Sequence, residues 1–418
     1  MIKLHLIMKR LINYMIAGAV LAVAGCRPAE KEYEMGSYGY DAKFFRDHKI
    51  EFLELTAPEG GAKVLVAPGY QGRVMTTTAD GDGGDSYGWI NYRFIESGER
   101  NPQFNPVGGE ERFWIGPEGG AFSYYFKPGA EQVYANWLVP AVIDTERYDI
   151  AEQSAARVRF TKSAKLFNAS GVSFDMGIER TISLLDAEAV AGVLGAELPA
   201  GLKVVAYETD NRITNRGENA WTKQTGLPSI WLLGMFNPTP TTTVFIPYAE
   251  DAEGPVVNDT YFGKVPADRL VAGDGMLRFR IDGKYRAKIG IPAPRAKGIC
   301  GSYDTEKRVL TLLKYSRPEG PADYVNGQWG EQQDAFNGDV INAYNDGPVE
   351  DGSVMGPFYE IETSSPGAAL APGESLSHRQ TVLHIQGDEA ALAGIVQRLF
   401  GYDLDKITAT FRSTAPKR

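Results

Sequence analysis

Apolar and polar residues alternate with a period of two along most of this chain, and that alternation restricts its fold more than any other feature. In VSFDMGIERTISLL (172–185), Phe174 and Met176 fall on one face of an extended strand, and Asp175 and Glu179 fall on the other. This pattern predicts a strand with one buried and one solvated face, as antiparallel sheets have. Similar alternation occurs in RVRFTKSAKL, LKVVAYETDNRIT, TTTVFIPY, MLRFRIDGKYRAKIGI and RVLTLLKYS.

Helical patterns are scarce. DEAALAGIVQRLFG predicts one helix, capped by Asp388 and ended by Gly401, and DAEAVAGVLG predicts a shorter one. In MLRFRIDGKYRAKIGI, the dipeptide Asp282-Gly283 predicts a two-residue hairpin turn. Many strands and few helices predict an all-β fold, mostly antiparallel, built as one large sandwich or as two sandwiches that share a seam. No break in composition divides residues 41–418, so we expect a single domain there.

The balance of charge excludes one class of partner. The chain has 53 acidic and 43 basic residues, and its formal net charge is -10. An excess of acid provides no broad positive surface for a phosphate backbone, so we expect no nucleic-acid partner.

The first 26 residues have the pattern of a targeting segment. Lys9 and Arg10 precede the apolar stretch MIAGAVLAVAG, which ends in small residues before Cys26. The tetrapeptide VAGC resembles a bacterial lipobox, which implies removal of a signal peptide over 1–25 and a lipid on the thiol of Cys26. A plain secretory peptide and an N-terminal membrane helix are the alternatives.

The residues after Cys26 extend this prediction. Arg27 takes the position where an aspartate would signal retention in the inner membrane, so we expect an outer-membrane lipoprotein that faces the periplasm or the cell surface. The polar segment over 26–40 is predicted to tether the lipid to the domain. After cleavage only Cys300 and the lipidated cysteine remain, so no internal disulfide is expected.

Three stretches resemble the galactose mutarotase-like family, to which aldose 1-epimerases belong. KVLVAPGYQGRV resembles the family's opening strand and turn, with Arg73 after the glycine. ISLLDAE and VVAYETDNRITNRGENAW resemble a strand pair that ends in a Thr-Asn turn, here Thr214 and Asn215. YEIETSSPGAALAPGESLSHRQTVLHI resembles the closing strands, with Glu362 before the proline and His378 after the PGE turn. The chain also resembles a set of uncharacterised lipoproteins of gut Bacteroidetes that share GPFYEIETSSP.

This resemblance implies a β-supersandwich with a sugar-binding cleft and a catalytic glutamate on a late strand. Mutarotation needs a base for the anomeric hydroxyl and an acid for the ring oxygen. Glu362 best matches the base, although it stands one residue nearer the proline than usual, and Glu360 is the second candidate. In mutarotases a histidine follows the central strand within HSYFNL, whereas this chain reads LPSIWLLGMFNP, with Trp231 and no histidine.

Two segments contain further candidates for binding a sugar. GGEERFWIGPEGG (108–120) combines charged residues with an indole that can stack on a sugar ring. NGQWGEQQDAFNGDVINAYNDGP (326–348) is rich in amides and rings and precedes the acid strand, as a binding loop does. The alternatives are a bulged strand with a core tryptophan and a surface connection. The candidate residues are Glu110, Arg112, Trp114, Trp329, Asp339, Asn342 and Tyr344.

The remaining candidates are cationic or metal-binding residues. Lys314, at the end of a predicted strand, either supplies positive charge to the site or is solvated. His378 and His384 share a strand face but lack a third zinc ligand, and DGDGGD (80–85) lacks the spacing of a calcium loop. We therefore expect no metal and no cofactor, and we include His378 among the substrate-binding candidates.

Together these patterns predict a carbohydrate-active lipoprotein that binds a sugar or glycan fragment and acts on it by acid and base chemistry, as an epimerase does. A non-catalytic glycan-binding lipoprotein is the first alternative, and a glycoside hydrolase or lyase on the same fold is the second. We expect the protein to be a monomer.

Overall fold

The computed structural model describes residues 31–57 and 61–411, and it confirms an all-β, mostly antiparallel fold with a few short helices. The predicted signal peptide over 1–25 and the lipidation site Cys26 lie outside the described residues. No helix within the described part of the chain is long and apolar enough to cross a membrane.

The described strands form three sheets. The three-stranded sheet contains β1 (Leu53–Thr56), β2 (Lys63–Ala67) and β3 (Arg73–Thr78). The ten-stranded sheet contains, in spatial order, β11 (Leu270–Gly273), β12 (Met276–Arg280), β10 (Thr243–Pro247), β14 (Ile299–Asp304), β15 (Val309–Tyr315), β18 (Ser375–Gln386), β8 (Lys203–Asn215), β7 (Ser173–Leu184), β6 (Arg157–Phe167) and β5 (Asp149–Gln153). The five-stranded sheet contains β13 (Ala287–Pro292), β16 (Asp339–Asn345), β17 (Tyr359–Ser364), β9 (Ser229–Phe236) and β4 (Arg112–Gly116).

The five-stranded and ten-stranded sheets pack face to face. The inner face of the smaller sheet is apolar and almost fully buried, as Leu232, Ile341 and Ile361 show. Contacts also cross the interface: the Tyr359 hydroxyl lies 2.7 Å from that of Ser302 on β14. Alternation along each strand therefore buries one face between the sheets and leaves the other face available for a site.

Helices cover part of the other face of the ten-stranded sheet. The helices Ala187–Leu194, Glu389–Phe400 and Leu404–Ala409 pack on apolar residues of that sheet, including Leu383 and Ile385. The two predicted helices are confirmed, with Asp186 and Asp388 as N-caps. The remaining helices of the described residues are Tyr38–Asp47, Tyr92–Ser97 and Ala141–Asp144, and the short 3-10 turns there are Pro68–Tyr70 and Tyr134–Asn136.

The predicted hairpin at Asp282-Gly283 is wrong. Strand β12 ends before this dipeptide and belongs to the ten-stranded sheet, whereas β13 follows it and belongs to the five-stranded sheet. The two-residue hairpin lies instead at Asp274-Gly275, which joins β11 to β12 with φ of 54° and 67°. Both dipeptides have the composition of such a turn, and only the partners of the flanking strands distinguish them.

The predicted tether also ends earlier than expected. Tyr33 donates a hydrogen bond of 2.9 Å to Asp82, and Ser37 caps the helix that begins at Tyr38. Tyr38 itself is fully buried. The chain therefore packs on the sandwich before residue 41, because Tyr38, in the first turn of this helix, belongs to a small core.

Candidate functional site

The register of the five-stranded sheet brings the two predicted acids together with partners from four other strands. One row across the outer face aligns Arg112, Leu233, Glu362 and Asn342. The neighbouring row aligns Met235, Glu360, Tyr344 and Lys288. Residues directly opposite each other on paired strands share a face, so all of these side chains point away from the ten-stranded sheet.

Glu360 is paired with Arg112. Its Oε1 accepts a hydrogen bond of 2.9 Å from Arg112 Nη2, and both side chains are less than 10% exposed. The guanidinium of Arg112 also lies 4.3 Å from the ring centre of Trp114. Burial raises the pKa of the Glu360 carboxyl above its ordinary value, while the charge of Arg112 opposes that shift and Glu362 reinforces it.

Glu362 is paired with Lys288. Its Oε2 accepts hydrogen bonds of 2.9 Å from Lys288 Nζ and 2.9 Å from Trp231 Nε1. The side chain of Glu362 is only 1% exposed and that of Lys288 is 13% exposed. Burial by itself lowers the pKa of Lys288. The negative charges of Glu362, Glu118 and Glu360 raise that pKa by more than burial lowers it, so the net pKa lies above the ordinary value. Lys288 therefore carries its charge in the middle of the acids.

Sequence reasoning missed Lys288 as a site residue. The signal was present but weak: a single lysine at an alternating position in AKIGIP, a strand whose other residues are apolar. A lysine at such a position usually faces water. Here the aromatic rings of Trp231 and Tyr261 lie 5.1 Å and 5.6 Å from its ammonium group and shield it.

A third carboxyl, Glu118, approaches from the turn that follows β4. Burial raises the pKa of Glu118, the charge of Lys288 opposes that shift, and Glu362 adds to it. The side chain of Trp329 lies near Glu118 and lowers its pKa. The site therefore combines an ion-paired carboxylate, Glu362, with a neighbouring carboxyl whose environment favours the protonated form.

Asp339 and Asn342 form a polar cluster at the edge of the same face. Asp339 Oδ2 accepts a hydrogen bond of 2.6 Å from the Tyr261 hydroxyl, and Asn342 Nδ2 donates to that hydroxyl at 3.2 Å. Burial raises the pKa of Asp339 to about 6, and its hydrogen bonds from Tyr261 and Asn258 partly offset the shift. Tyr344, in the neighbouring row, donates a hydrogen bond of 3.0 Å to Asp346.

Several buried polar atoms on this face have no hydrogen-bond partner among the described residues. They are Glu362 Oε1, Arg112 Nε and Nη1, Trp114 Nε1 and Ser229 Oγ. A buried polar atom without a partner costs about 1–3 kcal/mol, so a group of them on one face needs a physical reason. A ligand with several hydroxyl groups can supply both donors and acceptors to these atoms.

Loops cover the face closely. The acids Glu360 and Glu362 are 7% and 1% exposed, and Glu118, Tyr261 and Trp329 belong to loops that contribute to the cover. A cavity of about 300 Å³ lies elsewhere, on the outer face of the ten-stranded sheet, where Arg159, Lys162 and Glu179 line it. That cavity is lined by solvated ion pairs, whereas the covered face contains the converging acids and cations.

Two of the predicted binding residues, Glu110 and His378, are buried between the sheets. Glu110 Oε1 lies 2.9 Å from His384 Nε2 and accepts a hydrogen bond from Thr77. His378 Nε2 lies 2.9 Å from the Thr363 hydroxyl, and burial lowers the pKa of His378 to about 3. His378 belongs to β18 of the ten-stranded sheet and Glu110 precedes β4, and their contacts with Thr363 and His384 place both between the sheets, on the opposite side of the five-stranded sheet from Glu362.

The cations Arg73 and Lys314 also lie apart from the acid face. Arg73 is 1% exposed and donates to the Gly108 carbonyl at 2.7 Å and to Gln71 Oε1 at 3.0 Å. Burial lowers its pKa to about 9, and Arg112 adds to that shift. Lys314 is exposed on β15, in the ten-stranded sheet. The positive charge at the acids comes instead from Arg112 and Lys288.

The two predicted tryptophans lie at different depths. Trp114 is 3% exposed and packs edge-on against Trp231, at 5.5 Å between ring centres. Trp329 is 37% exposed and lies at the rim, where its side chain reaches Glu118. The structure thus brings Glu360, Glu362, Arg112, Trp114, Trp329, Asp339, Asn342 and Tyr344 to one side of the five-stranded sheet.

The aspartates of DGDGGD are paired with lysines. Asp80, Asp82 and Asp85 form ion pairs with Lys203, Lys63 and Lys307, respectively. Within residues 31–57 and 61–411, no group of three or more histidine, cysteine, aspartate or glutamate side chains is arranged to hold a metal ion.

The fold and the site define a class: all-β sandwich proteins with a charged, loop-covered face on the smaller sheet. The chain belongs to the family of unknown function DUF6786, whose sequence pattern matches residues 36–411. No curated protein sequence matches the chain significantly.

Solved structures show similarity at low sequence identity. The Slr1438 protein of a Synechocystis species matches with a TM-score of 0.51 and 13% identity, over 81% of this chain and 96% of that chain. A galactose mutarotase-like protein from Lactobacillus casei matches with a TM-score of 0.48 and 10% identity, over 80% of this chain and 100% of that chain. A protein proposed to be an aldose 1-epimerase, from Escherichia coli, matches with a TM-score of 0.47 and 13% identity, over 81% and 99%. At these identities the likeness concerns the fold alone.

Proposed function

We propose that this protein binds a sugar or glycan fragment on the outer face of the five-stranded sheet and catalyses acid and base chemistry at its anomeric carbon. The observation that carries the proposal is the meeting of Glu360, Glu362, Arg112 and Lys288 on one sheet face that also contains unpaired buried polar atoms. Sugar sites combine such hydrogen-bonding groups with aromatic rings, and Trp114 and Trp231 supply the rings.

Glu362 is the base in this proposal. Mutarotation begins when a base takes the proton of the anomeric hydroxyl and an acid protonates the ring oxygen, so that the bond between that oxygen and the anomeric carbon breaks. The proton relay reverses when the ring closes on the other face of the carbonyl. Lys288 Nζ lies 2.9 Å from Glu362 Oε2 and places a positive charge beside the proposed base.

Glu118 is the acid in this proposal. Burial raises its pKa, which favours the protonated form that an acid needs at the start of the reaction. Carboxyl groups in different surroundings can divide the roles of acid and base. Glu118 would thus supply the proton that a histidine supplies in the mutarotases that this sequence resembles.

A sugar reaches these groups only when the covering loops move. Glu362 is 1% exposed, so part of the loop that carries Tyr261 or of the turn that carries Glu118 must shift on binding. Loops of this kind open on a microsecond to millisecond scale in many enzymes.

The test follows binding and anomer exchange together. Glucose and galactose are titrated into the protein and observed by NMR, with exchange between the two anomers measured by magnetisation transfer. We expect binding and faster exchange with the native protein, and binding without exchange with Glu362→Gln. Glu188→Gln, an exposed change on the helix Ala187–Leu194, is the matched control and should behave as the native protein does.

A non-catalytic glycan-binding role is the second candidate. The contacts of Glu362 favour it, because Lys288 and Trp231 both donate to Oε2 at 2.9 Å and hold that oxygen in a structural pair. Binding without exchange in the native protein, unchanged in Glu362→Gln, would select this role. No response to either sugar would count against both roles.

The anchoring of the protein is part of the same proposal. The lipobox-like VAGC and the resemblance to Bacteroidetes lipoproteins support a lipid on Cys26 and an outer-membrane location. Cys26→Ser should lose label from a radioactive fatty acid and move from the membrane fraction to the soluble fraction. Retention of the label in that variant would contradict the assignment.

A further inference from the structure

Three aromatic residues form a surface beside the candidate site, which we name the aromatic platform: Tyr134, Trp137 and Trp329. The Trp137 ring lies 6.0 Å from that of Tyr134 and 6.2 Å from that of Trp329, at interplanar angles of 21° and 27°. Tyr134 is 62% exposed and Trp329 is 37% exposed. Trp137 is 7% exposed, so Tyr134 and Trp329 provide most of the exposed surface of the platform. A contiguous exposed apolar patch of this kind is typical of a binding surface.

The platform is continuous with the acid face. Trp137 packs on Trp114, with ring centres 6.3 Å apart, and Trp114 packs on Trp231, which donates to Glu362. A second path runs through Trp329, whose side chain lies near Glu118. The exposed rings therefore begin where the charged site ends.

Hydrogen bonds hold the platform in place. Gln132 Oε1 accepts from the backbone N–H groups of Gly330, at 2.8 Å, and of Gly120, at 2.9 Å. Gln103 Nε2 donates to the carbonyls of Tyr134 and Trp137 at 2.6 Å and 3.1 Å. These bonds join separate loops, so the rings are positioned before any ligand binds, which lowers the entropic cost of binding.

The surroundings of the rings indicate an uncharged ligand. Exposed amides, Asn136 and Gln328, adjoin the rings in sequence and can bond to hydroxyl groups. Exposed acids, Glu131 and Glu331, also flank the platform, so an anionic chain would be repelled. The C–H faces of neutral sugar rings stack on aromatic rings and leave their hydroxyls for amides.

We propose that the aromatic platform binds further units of a neutral oligosaccharide whose end unit occupies the site at Glu362. This inference rests on the proposed function, because the end unit must bind at that site. Anomer exchange needs a free anomeric hydroxyl, so the unit at Glu362 is the reducing end and the rest of the chain extends over Trp329 and Tyr134. The preferred substrate is an oligosaccharide, not a free monosaccharide.

The test compares each monosaccharide with its trisaccharide. Calorimetry measures the binding of glucose, maltotriose, cellotriose, galactose and β-1,4-galactotriose to the native protein and to Tyr134→Ala. Tyr134 contacts the rest of the protein mainly through Trp137, so its removal should leave the fold intact. Phe167→Ala, a similarly exposed ring on β6 of the other sheet, is the control.

We expect at least one trisaccharide to bind about tenfold more tightly than its monosaccharide, a difference of about 1.4 kcal/mol. Tyr134→Ala should remove most of that gain and leave the Kd of the monosaccharide unchanged, while Phe167→Ala should change neither. Equal affinity for each trisaccharide and its monosaccharide, or an equal loss for both in Tyr134→Ala, would overturn the inference while the proposed function stands. Failure of every probe to bind would overturn both.

Discussion

Removal of the ammonium group of Lys288 tests whether the charges on the acid face are as tightly coupled as their geometry indicates. The substitution Lys288→Met keeps most of the length and apolar volume of the side chain. It leaves Glu362 with one donor, Trp231 Nε1, and with an Oε1 that has no partner among the described residues. The carboxylate of Glu362, only 1% exposed, would then lack its cation.

The expected cost follows from this burial. Leaving one member of a buried ion pair uncompensated costs about 3–5 kcal/mol. Because Lys288 is 13% exposed, some solvent reaches the pair and the lower end of that range, about 3 kcal/mol, is expected. The double variant Lys288→Met/Glu362→Gln removes the unpaired charge and should recover a large part of the loss. The coupling between the two positions should therefore be about 1–3 kcal/mol.

Urea unfolding measures the effect. Transitions followed by tryptophan fluorescence and by far-UV circular dichroism must coincide before a free energy of unfolding is calculated. Lys264→Met is the matched control, because Lys264 is 75% exposed in its pair with Asp259 and should cost no more than about 1 kcal/mol. A loss for Lys288→Met no greater than the loss for Lys264→Met, or purely additive effects in the double variant, would refute the reasoning.

Two further predictions concern buried groups outside the candidate site. Burial raises the pKa of the fully buried Asp41 to about 6, so between about pH 4 and pH 6 the native state binds more protons than the unfolded state and stability falls as pH rises. Asp41→Asn should remove this contribution of up to about 3 kcal/mol, which urea unfolding across that pH range would measure. Asp47→Asn on the same helix is the control and should keep the pH dependence of the native protein. The same dependence of unfolding free energy on pH in both variants would contradict this prediction. Burial also raises the pKa of the Cys300 thiol to about 12, so a thiol reagent added at neutral pH should label it only after denaturation, and rapid labelling of the native protein would contradict its burial.

The main features of the fold could be read from the sequence because they depend on local pattern. Alternation along VSFDMGIERTISLL predicts β7. In β17, alternation of the same kind puts Glu360 and Glu362 on one face and Ile361 on the other. The cap at Asp388 predicts one helix, since a side chain that accepts from the first helical N–H groups acts within one turn, and the pattern DAEAVAGVLG predicts the other.

The partners of the acids could not be predicted, because they depend on pairing between distant strands. Lys288 reaches Glu362 only because β13 pairs with β16 and β16 with β17, which brings residues 74 positions apart in sequence into neighbouring rows. The wrong hairpin at Asp282-Gly283 has the same origin: the dipeptide fits a turn, but the strands on its two sides belong to different sheets. Glu118 was visible as one acid among several, and only the fold brings it near Glu362.

The resemblance to mutarotases leads one to expect a histidine as proton donor, but the histidines and the acids lie on different sides of the five-stranded sheet. His378 and His384 lie on the inner side, where they bond to Thr363, Thr311 and Glu110 and contact no solvent. Because burial lowers the pKa of His378 to about 3, that ring is neutral at physiological pH and cannot act as a proton donor there. The outer side instead combines carboxyl groups with Lys288. Among the carboxyl groups of that side, burial raises the pKa of both Glu360 and Glu118. Glu360 is paired with Arg112, so Glu118 is the carboxyl group to which our proposal assigns the proton donor.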